Sequence, residues 1–415
     1  MRELLGRIDA ATPRTRDRGV DGLRALAILG VVLGHWLVTG LVVDSGTVRG
    51  ASPLRELPQL APASWLFQTL AVFFLVGGMV AARAPGSSGY WAWLGGRMAR
   101  LFRPVAVVLL VWAVIAVATL GGGVGVESVR TLGGLVWSPL WFLLVFAVLT
   151  AATPLVVRLR PVWPVAAVAL VDLLRYGLGG PAWLGWVNVL AGWLVPYCLG
   201  VAWGRARRTP APRTGWALLV GGGAATAGLV LWGGYPVAMV GVPGAAISNL
   251  DPPTLAAVTF GLAQCGAAVL LLGPLRRVLR RPLAWAATAL VNLLAITIFL
   301  WHQTAMIAVT ALGLLSGQAL HGLHTAPDTA GWVMARLAWL PVFGLALAAC
   351  CAAFGGHERR RVRRPRAAGE EHPPPDQAPL PGQAQPPDQA PLPDQATPPD
   401  QAPPPAPPRP DHLIS

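Results

Sequence analysis

The sequence predicts an all-α, polytopic membrane protein: a bundle of about ten transmembrane helices followed by a disordered, proline-rich C-terminal tail. Only 12% of the 415 residues are charged, against about 25% in a typical soluble domain, and the mean hydropathy is +0.56. Apolar runs of roughly 20 residues, the length that crosses a bilayer core, recur through the first 355 positions. Because these runs are continuous rather than alternating, they indicate helices and exclude a β-barrel.

The spans follow one another with short connections, and their ends are set where the apolar runs stop. The ten predicted spans cover 22–43, 63–82, 104–121, 139–157, 162–178, 184–203, 215–233, 254–274, 284–310 and 332–354. The longest external loop, 232–253, is rich in glycine and proline and is interpreted as either an ordered plug or a re-entrant hairpin. Asp172 and Arg175 are expected to pair at the outer end of the fifth span, since i and i+3 are neighbours on a helix.

Three regions follow from this pattern: an N-terminal segment over 1–21, a membrane domain over 22–355, and a basic segment with a repeat tail over 356–415. In the tail the motif PPDQA recurs with Asp376, Asp388 and Asp400 in register. Proline this dense cannot build a helix or a sheet, which predicts disorder. The tail is interpreted as a spacer, a docking strand or a dispensable extension.

The distribution of arginine predicts the orientation of the spans. All 32 basic residues are arginines, and the net charge is +14. In a soluble protein this charge would favour nucleic acid as a partner, but here 25 arginines fall in loops on one face and five on the other. The positive-inside rule therefore predicts a multi-pass plasma-membrane protein with both termini in the cytoplasm and no nucleic-acid partner.

The first span carries three ionisable residues, Asp21, Arg24 and His35. At 100° per residue they fall within an arc of about 60°, with Arg24 and His35 about 16 Å apart along the axis. Burying such groups in a bilayer is costly unless they face protein or water. The pattern predicts a stripe that lines a cavity open to the cytoplasm, with His35 midway into the bilayer. The alternatives are a helix start at the interface and a buried histidine that bridges helices.

Several short motifs occur in a fixed order along the membrane part, about 18 to 355. They are the Arg-x10-His pair after Asp-Gly-Leu-Arg-Ala (Arg24, His35), AVFFLVGGMV (71–80), GGRMARLFRP (95–104), LWFLLVF (140–146) and IFLWHQTAM (298–306). Together they resemble the acyltransferase-3 family of integral-membrane O-acyltransferases, in a bacterial, actinobacterial-like form. Phe73, Phe74 and Gly78 match the second motif, whereas Gly77 stands where serine is usual. Arg97 and Arg100 match an Arg-x-x-Arg motif before the third helix.

The resemblance implies an acyltransferase that uses acyl-CoA, expected to be acetyl-CoA, as a co-substrate and has no bound cofactor or metal. The acceptor would be a hydroxyl of a cell-envelope carbohydrate or of a glycosylated small molecule. It implies His35 as the general base and Arg24 at the mouth of the pocket. Arg97, Arg100 and Arg103, spaced at i, i+3 and i+6, form a ridge suited to the phosphoryl groups of the donor.

Asp21 and His302 are further candidates for the pocket, although His302 is interpreted first as a structural hydrogen-bonding residue. Neither a metal-ligand spacing nor a Ser-His-Asp set is evident. A transporter or flippase for a glycoconjugate remains the main alternative, since its spans would also bury an arginine and a histidine around a substrate path. A third interpretation is an interaction protein that recruits partners through its tail.

Overall fold

The computed structural model describes residues 12–13, 16–44, 46–83, 87–206, 209–243, 245 and 247–356. Fifteen α-helices and two strands lie in these ranges. They are α1 (Arg18–Val38), β1 (Gly40–Asp44), β2 (Thr47–Ala51), α2 (Pro53–Glu56), α3 (Ser64–Phe67), α4 (Leu70–Ala81), α5 (Ser87–Gly121), α6 (Val126–Trp137), α7 (Leu140–Ala151), α8 (Thr153–Val156), α9 (Val162–Asp172), α10 (Gly185–Ala206), α11 (Pro212–Trp232), α12 (Leu255–Val278), α13 (Pro282–Leu293), α14 (Ala295–Leu314) and α15 (Ala330–Phe354). Nearly all of the segment 356–415, including the repeat tail, lies outside the described residues, so its predicted disorder stays a prediction.

The predicted membrane bundle is confirmed. Within the described ranges, nine helical segments are long and apolar enough to cross a membrane, and the chain is a multi-pass membrane protein. The span predicted over 162–178 is shorter: α9 continues only into a π-helical turn, Leu173–Gly177. That segment nevertheless reaches the start of α12, because the Asp172 carboxylate accepts a hydrogen bond of 2.7 Å from the backbone amide of Leu255.

The two ends of the bundle are named here by α1. The N-terminal face is the end at which α1 begins, and the opposite face is the end at which α1 finishes. At the N-terminal face Asp17 pairs with Arg276, near the end of α12, at 2.6 Å. Phe354, the last residue of α15, stacks at 3.8 Å on Trp301 near the start of α14. The described domain therefore begins and ends on the same face, as an even number of crossings requires.

The first predicted span is too long at its end. The helix stops at Val38, and the chain then forms the antiparallel hairpin β1–β2, in which Val42 pairs with Arg49. The hairpin is fixed to its surroundings through its backbone: the amide of Val43 donates to the carbonyl of His324 at 3.2 Å, and the amide of Val48 donates to Ser128 Oγ at 2.9 Å. His35 consequently lies in the last turn of α1 and not midway along the span.

Two other segments differ from the predicted spans. The region predicted as one span over 284–310 is divided into α13 and α14, with the break at Leu294. Asn292 at the end of α13 donates to the backbone carbonyl of Asp21 at 2.8 Å, which ties this break to the first turns of α1. The ordered-plug interpretation of loop 232–253 is supported, because Trp65 Nε1 donates to the carbonyl of Val237 at 2.7 Å.

Glycines permit the close crossing of α4 and α10 at the centre of the bundle. A Cβ on Gly78 would lie 2.9 Å from the backbone nitrogen of Val201, and one on Gly200 would lie 2.9 Å from that of Met79. Small residues at such crossings let two backbones approach in a membrane, where dispersion replaces the hydrophobic effect as the force between helices. This crossing holds Phe73 and Phe74 of α4 against the aromatic core.

Candidate active site

A cavity of about 460 Å³ lies at the opposite face, and His35 forms part of its wall. We call it the His35 cavity. Its lining comes from the last turns of α1, the segment before α4, the α6–α7 junction, the loop after α11, and α14; the polar members are His35, Thr39, Gln68, Thr69, Ser138, Trp141, Asp251 and Gln303. The volume falls within the ~300–1,000 Å³ range of small-molecule sites, and few polar groups in a mostly apolar wall are typical of such sites.

Gln303 is the nearest hydrogen-bonding partner of the His35 imidazole. Its amide nitrogen lies 3.3 Å from His35 Nδ1, the long end of the hydrogen-bonding range. If the amide nitrogen donates, Nδ1 is the acceptor and the ring proton resides on Nε2. If the amide is turned, its oxygen accepts from Nδ1–H and leaves Nε2 as a free base. The amide oxygen of Gln303 is buried and has no partner among the described residues, so the contact is compatible with either tautomer.

His302 lies beside His35, with ring centroids 5.1 Å apart. It is 1% exposed, and its Nδ1 lies 2.5 Å from the carbonyl oxygen of Phe299. Because a carbonyl only accepts, Nδ1 carries the proton and Nε2 holds the lone pair. That Nε2 is buried and lacks a hydrogen-bond partner among the described residues. His302 thus bonds to its own helix, as the structural interpretation expected, and also stands against the candidate base.

Arg336 of α15 holds the end of α1 in place. Its Nε donates to the carbonyl of Trp36 at 2.7 Å, and its Nη2 donates to the carbonyl of Thr39 at 2.6 Å. Nη1 donates to the carbonyl of Gly322 at 2.9 Å, and the side chain is 1% exposed. The last carbonyls of a helix lack partners within it and carry a negative partial charge, so a guanidinium is well suited to them. Arg336 therefore positions the turn that bears His35.

A second polar region lies at the N-terminal face. The Arg97 guanidinium is within electrostatic range of Arg24 and Arg100. It also lies over the rings of Trp93, at 5.5 Å, and Phe146, at 6.0 Å. Three like charges gathered here, with two aromatic rings under one of them, form an anion-attracting surface. We call it the arginine cluster. Arg103 is exposed on the same helix, and no contact places it with this cluster.

Arg24 and His35 do not share a wet vestibule, and that prediction is wrong. Ile28 and Val32 lie between them on the same stripe of α1, and each is only 2% exposed. Arg24 is absent from the lining of the His35 cavity, which opens at the opposite face. The angular prediction still holds, since both residues project from one side of the helix. Asp21 also stays out of the cavity and pairs with Arg16 at 2.6 Å.

Aromatic rings fill the space between the two polar regions. Phe146, under Arg97, lies 5.2 Å from Phe73, which lies 4.9 Å from Phe142. Phe142 in turn lies 5.3 Å from Phe299, whose ring is 5.8 Å from that of His302. Continuous ring contacts therefore connect the arginine cluster to the wall of the His35 cavity. We call these four phenylalanines the aromatic layer.

Gly77, which replaces the usual serine, lies against this layer. A Cβ at Gly77 would collide with the ring of Phe146, so the ring occupies the space of the missing side chain. The expected pairing of Asp172 with Arg175 is also absent as an ion pair: Asp172 bonds instead to Asn188 and Tyr235, each at 2.9 Å.

Sequence reasoning missed two residues of this site. Gln303 follows His302 directly in LWHQ, and a second polar residue within an apolar run was the available signal. Arg336 was counted only as an arginine of the external side, although a charged residue two turns inside a span is the same kind of signal.

Comparison with known proteins gives one result. The model of the acyltransferase-3 family, described as an acyltransferase domain, matches residues 17–355. No curated protein and no solved structure matches the chain significantly. The match spans nearly all of the described membrane bundle, including the arginine cluster and the His35 cavity. The chain belongs to the acyltransferase-3 family and is a membrane acyltransferase.

Proposed function

We propose that this protein transfers an acyl group, acetyl in the first instance, from acyl-CoA to a hydroxyl of a cell-envelope carbohydrate or a glycosylated small molecule. The observation that carries the proposal is an imidazole in the wall of a cavity large enough for a sugar-sized acceptor. The unperturbed pKa of a histidine, about 6.5, suits a general base at neutral pH. Family membership supplies the acyl-transfer chemistry.

The acceptor is assigned to the His35 cavity on the basis of its polar groups. The side-chain oxygens of Gln68 and Gln303 are buried and have no partner among the described residues. A buried acceptor without a donor costs about 1–3 kcal/mol, so a ligand that brings donors is favoured. Sugar hydroxyls are such donors. Trp141 offers an indole face in the same wall, as is common where sugar rings bind.

The donor is assigned to the arginine cluster. No arginine lines the His35 cavity within the described ranges, whereas Arg24, Arg97 and Arg100 gather at the N-terminal face. Guanidinium groups bind phosphate through paired hydrogen bonds, and CoA carries phosphoryl groups. The biased distribution of arginine supports a cytoplasmic N-terminal face in the plasma membrane, which is the compartment of acyl-CoA.

The transfer step uses His35 as the base. The acceptor hydroxyl loses its proton to His35 Nε2 while its oxygen bonds to the thioester carbonyl carbon. The tetrahedral intermediate then breaks its carbon–sulfur bond, and His35 returns the proton to the CoA sulfur. An ester and free CoA result, so atoms and charge balance. The step requires the His35 tautomer with Nδ1–H, which the turned Gln303 amide stabilises.

The test is the release of free thiol from acetyl-CoA by the purified protein, followed by mass spectrometry of envelope glycans for a lost acetyl mass. General-base catalysis contributes about 10²–10⁴-fold, so His35→Ala is expected to lower thiol release at least 100-fold. The matched control is His321→Ala, an exposed histidine outside the His35 cavity, which is expected to retain the activity. Equal activity of the folded His35→Ala and wild-type proteins would refute the assignment.

Two alternatives give different outcomes in the same experiments. A glycoconjugate transporter would move substrate into vesicles without releasing CoA, and His35 variants would alter that flux. An interaction protein would lose its cellular phenotype on deletion of 357–415 and keep it in His35→Ala. The proposed acyltransferase gives neither pattern.

A further inference from the structure

A lateral groove of about 240 Å³ runs between the last turns of α5 and helix α6. We call it the α5–α6 groove. Apart from Arg130, its lining is apolar or glycine, with Trp112 and Leu120 on the α5 side and Gly133 and Trp137 on the α6 side. Neighbouring side chains of α5 face away from the protein, as Val117 does at 72% exposure, so the groove opens toward lipid. It is therefore placed to receive a hydrocarbon chain from the bilayer.

Arg130 gives the groove a charged end. It is exposed in the second turn of α6 and makes no hydrogen bond or ion pair with any residue that the structure describes. The hairpin β1–β2 lies next to it, since Gly50 approaches the Cγ2 of Thr131 at 3.9 Å. An unpaired guanidinium at the end of a lipid-facing groove is complementary to a phosphate attached to a hydrocarbon chain.

Helix α6 separates the α5–α6 groove from the His35 cavity. One side of the helix forms the groove through Arg130 and Gly133, while Leu135 and the following Ser138 line the cavity. A helix with its side chains is about 10–12 Å across. Gly50, beside Thr131, also lines the cavity. A group attached to a phosphate at Arg130 thus has a short route past the hairpin to His35.

We infer that the α5–α6 groove binds the hydrocarbon chain of a lipid-linked acceptor and that Arg130 binds its phosphate, which presents the attached sugar to the His35 cavity. This inference rests on the proposed function and names its acceptor class. The groove is smaller than the ~300 Å³ at the lower end of sites that enclose a whole small molecule. It therefore fits part of one chain, with the remainder in the bilayer.

The test uses a polyprenyl phosphate bearing a diazirine on its chain, with the full-length protein in nanodiscs of zwitterionic phosphatidylcholine. Photolabelling followed by peptide mass spectrometry is expected to mark α5 or α6 in a saturable manner. Loss of a charge-assisted phosphate contact predicts about tenfold weaker half-saturation for Arg130→Gln. Arg55→Gln is the matched control, because Arg55 is exposed at the same face beside Glu56, at 3.8 Å. Unchanged labelling in Arg130→Gln would overturn the inference.

A second variant and a competitor complete the design. A Cβ at Gly133 would lie 2.6 Å from the Trp137 ring, so Gly133→Leu drives bulk into the groove and is expected to abolish labelling there. Equal competition by phosphatidylglycerol would show a site for bulk anionic lipid only and would overturn the inference. His35→Ala is expected to keep the labelling and lose thiol release. A protein that releases thiol but is not labelled refutes the inference alone, whereas one that is labelled but releases no thiol refutes the proposed function alone.

Discussion

Replacing Arg336 with leucine is expected to be among the most destabilising single changes in the bundle. The guanidinium donates to three backbone carbonyls, at 2.6 to 2.9 Å, while being 1% exposed. Hydrogen bonds from a charged donor contribute about 1.5–3 kcal/mol each, or roughly 5–9 kcal/mol for three. The native protein bears a desolvation cost of several kcal/mol for the buried charge, which the leucine variant avoids. The expected net loss is about 3–5 kcal/mol.

The loss has a location that activity can report. Two of the three carbonyls, those of Trp36 and Thr39, belong to the end of α1, and Trp36 is also fixed by its own Nε1 hydrogen bond of 2.9 Å to the carbonyl of His302. Without Arg336 the turn that carries His35 is held from one side only. The rate constant for thiol release is therefore expected to fall by more than the KM for acetyl-CoA rises.

The assay is unfolding in mixed micelles by SDS titration, monitored by tryptophan fluorescence, with thiol release measured on the still-folded fraction. Arg336→Lys is expected to recover part of both losses, because an ammonium retains the charge but cannot reach three carbonyls from one planar group. Arg49→Leu, at an exposed arginine of β2, is the control and is expected to lie within about 0.5 kcal/mol of wild type. An Arg336→Leu variant less than 1 kcal/mol below wild type would refute the reasoning.

Three further predictions concern other parts of the bundle. Burial raises the pKa of Asp17, but its bonds to Arg276 and to two helix amides outweigh this and leave the pKa lowered; the stabilisation is present above the unfolded pKa of about 3.9 and is lost as the pH falls through the lower folded value, so wild type and Asp17→Asn should converge in SDS unfolding below about pH 4. Gln303→Leu removes a neutral contact of 3.3 Å worth about 0.5–1.5 kcal/mol, so thiol release should fall about tenfold at most, and a loss as large as that of His35→Ala would contradict a merely orienting role. Gly77→Ser overpacks the ring of Phe146 and should cost about 1–3 kcal/mol of stability, which Phe146→Ala in the same chain should restore; a stable single variant would contradict this account.

The sequence predicts the spans well because hydropathy depends on composition alone, but it places the first helix end five residues too late. LVVDSGTV is apolar enough to extend a membrane span, yet it forms a hairpin with Gly46 at φ 79°. What ends α1 at Val38 is the tertiary contact of Arg336 with the last carbonyls of the helix. No local pattern encodes a partner about 300 positions away. That error alone moved His35 from the end of the helix to its middle.

The candidate site shows the same limit. Helical periodicity correctly puts Arg24 and His35 on one side of α1, since that depends only on 100° per residue. Whether the stripe between them is wet depends on what packs against it, and Ile28 and Val32 are covered by neighbours from distant parts of the chain. The aromatic layer is equally invisible in the sequence, because its four phenylalanines come from three different helices.

The separation of the two polar regions constrains any account of the reaction. The arginine cluster attracts anions at one face, and the His35 cavity, which has no arginine in its described lining, opens at the other. Along α1 the two are about 16 Å apart, and the aromatic layer fills the space between. If both substrates bound at the same face, one region would have no role in the transfer. With the donor at one face and the acceptor at the other, the reacting thioester must pass the phenylalanines to reach His35. Side-chain movement in that layer, beginning with Phe146 under Arg97, is then a required step of the proposed transfer.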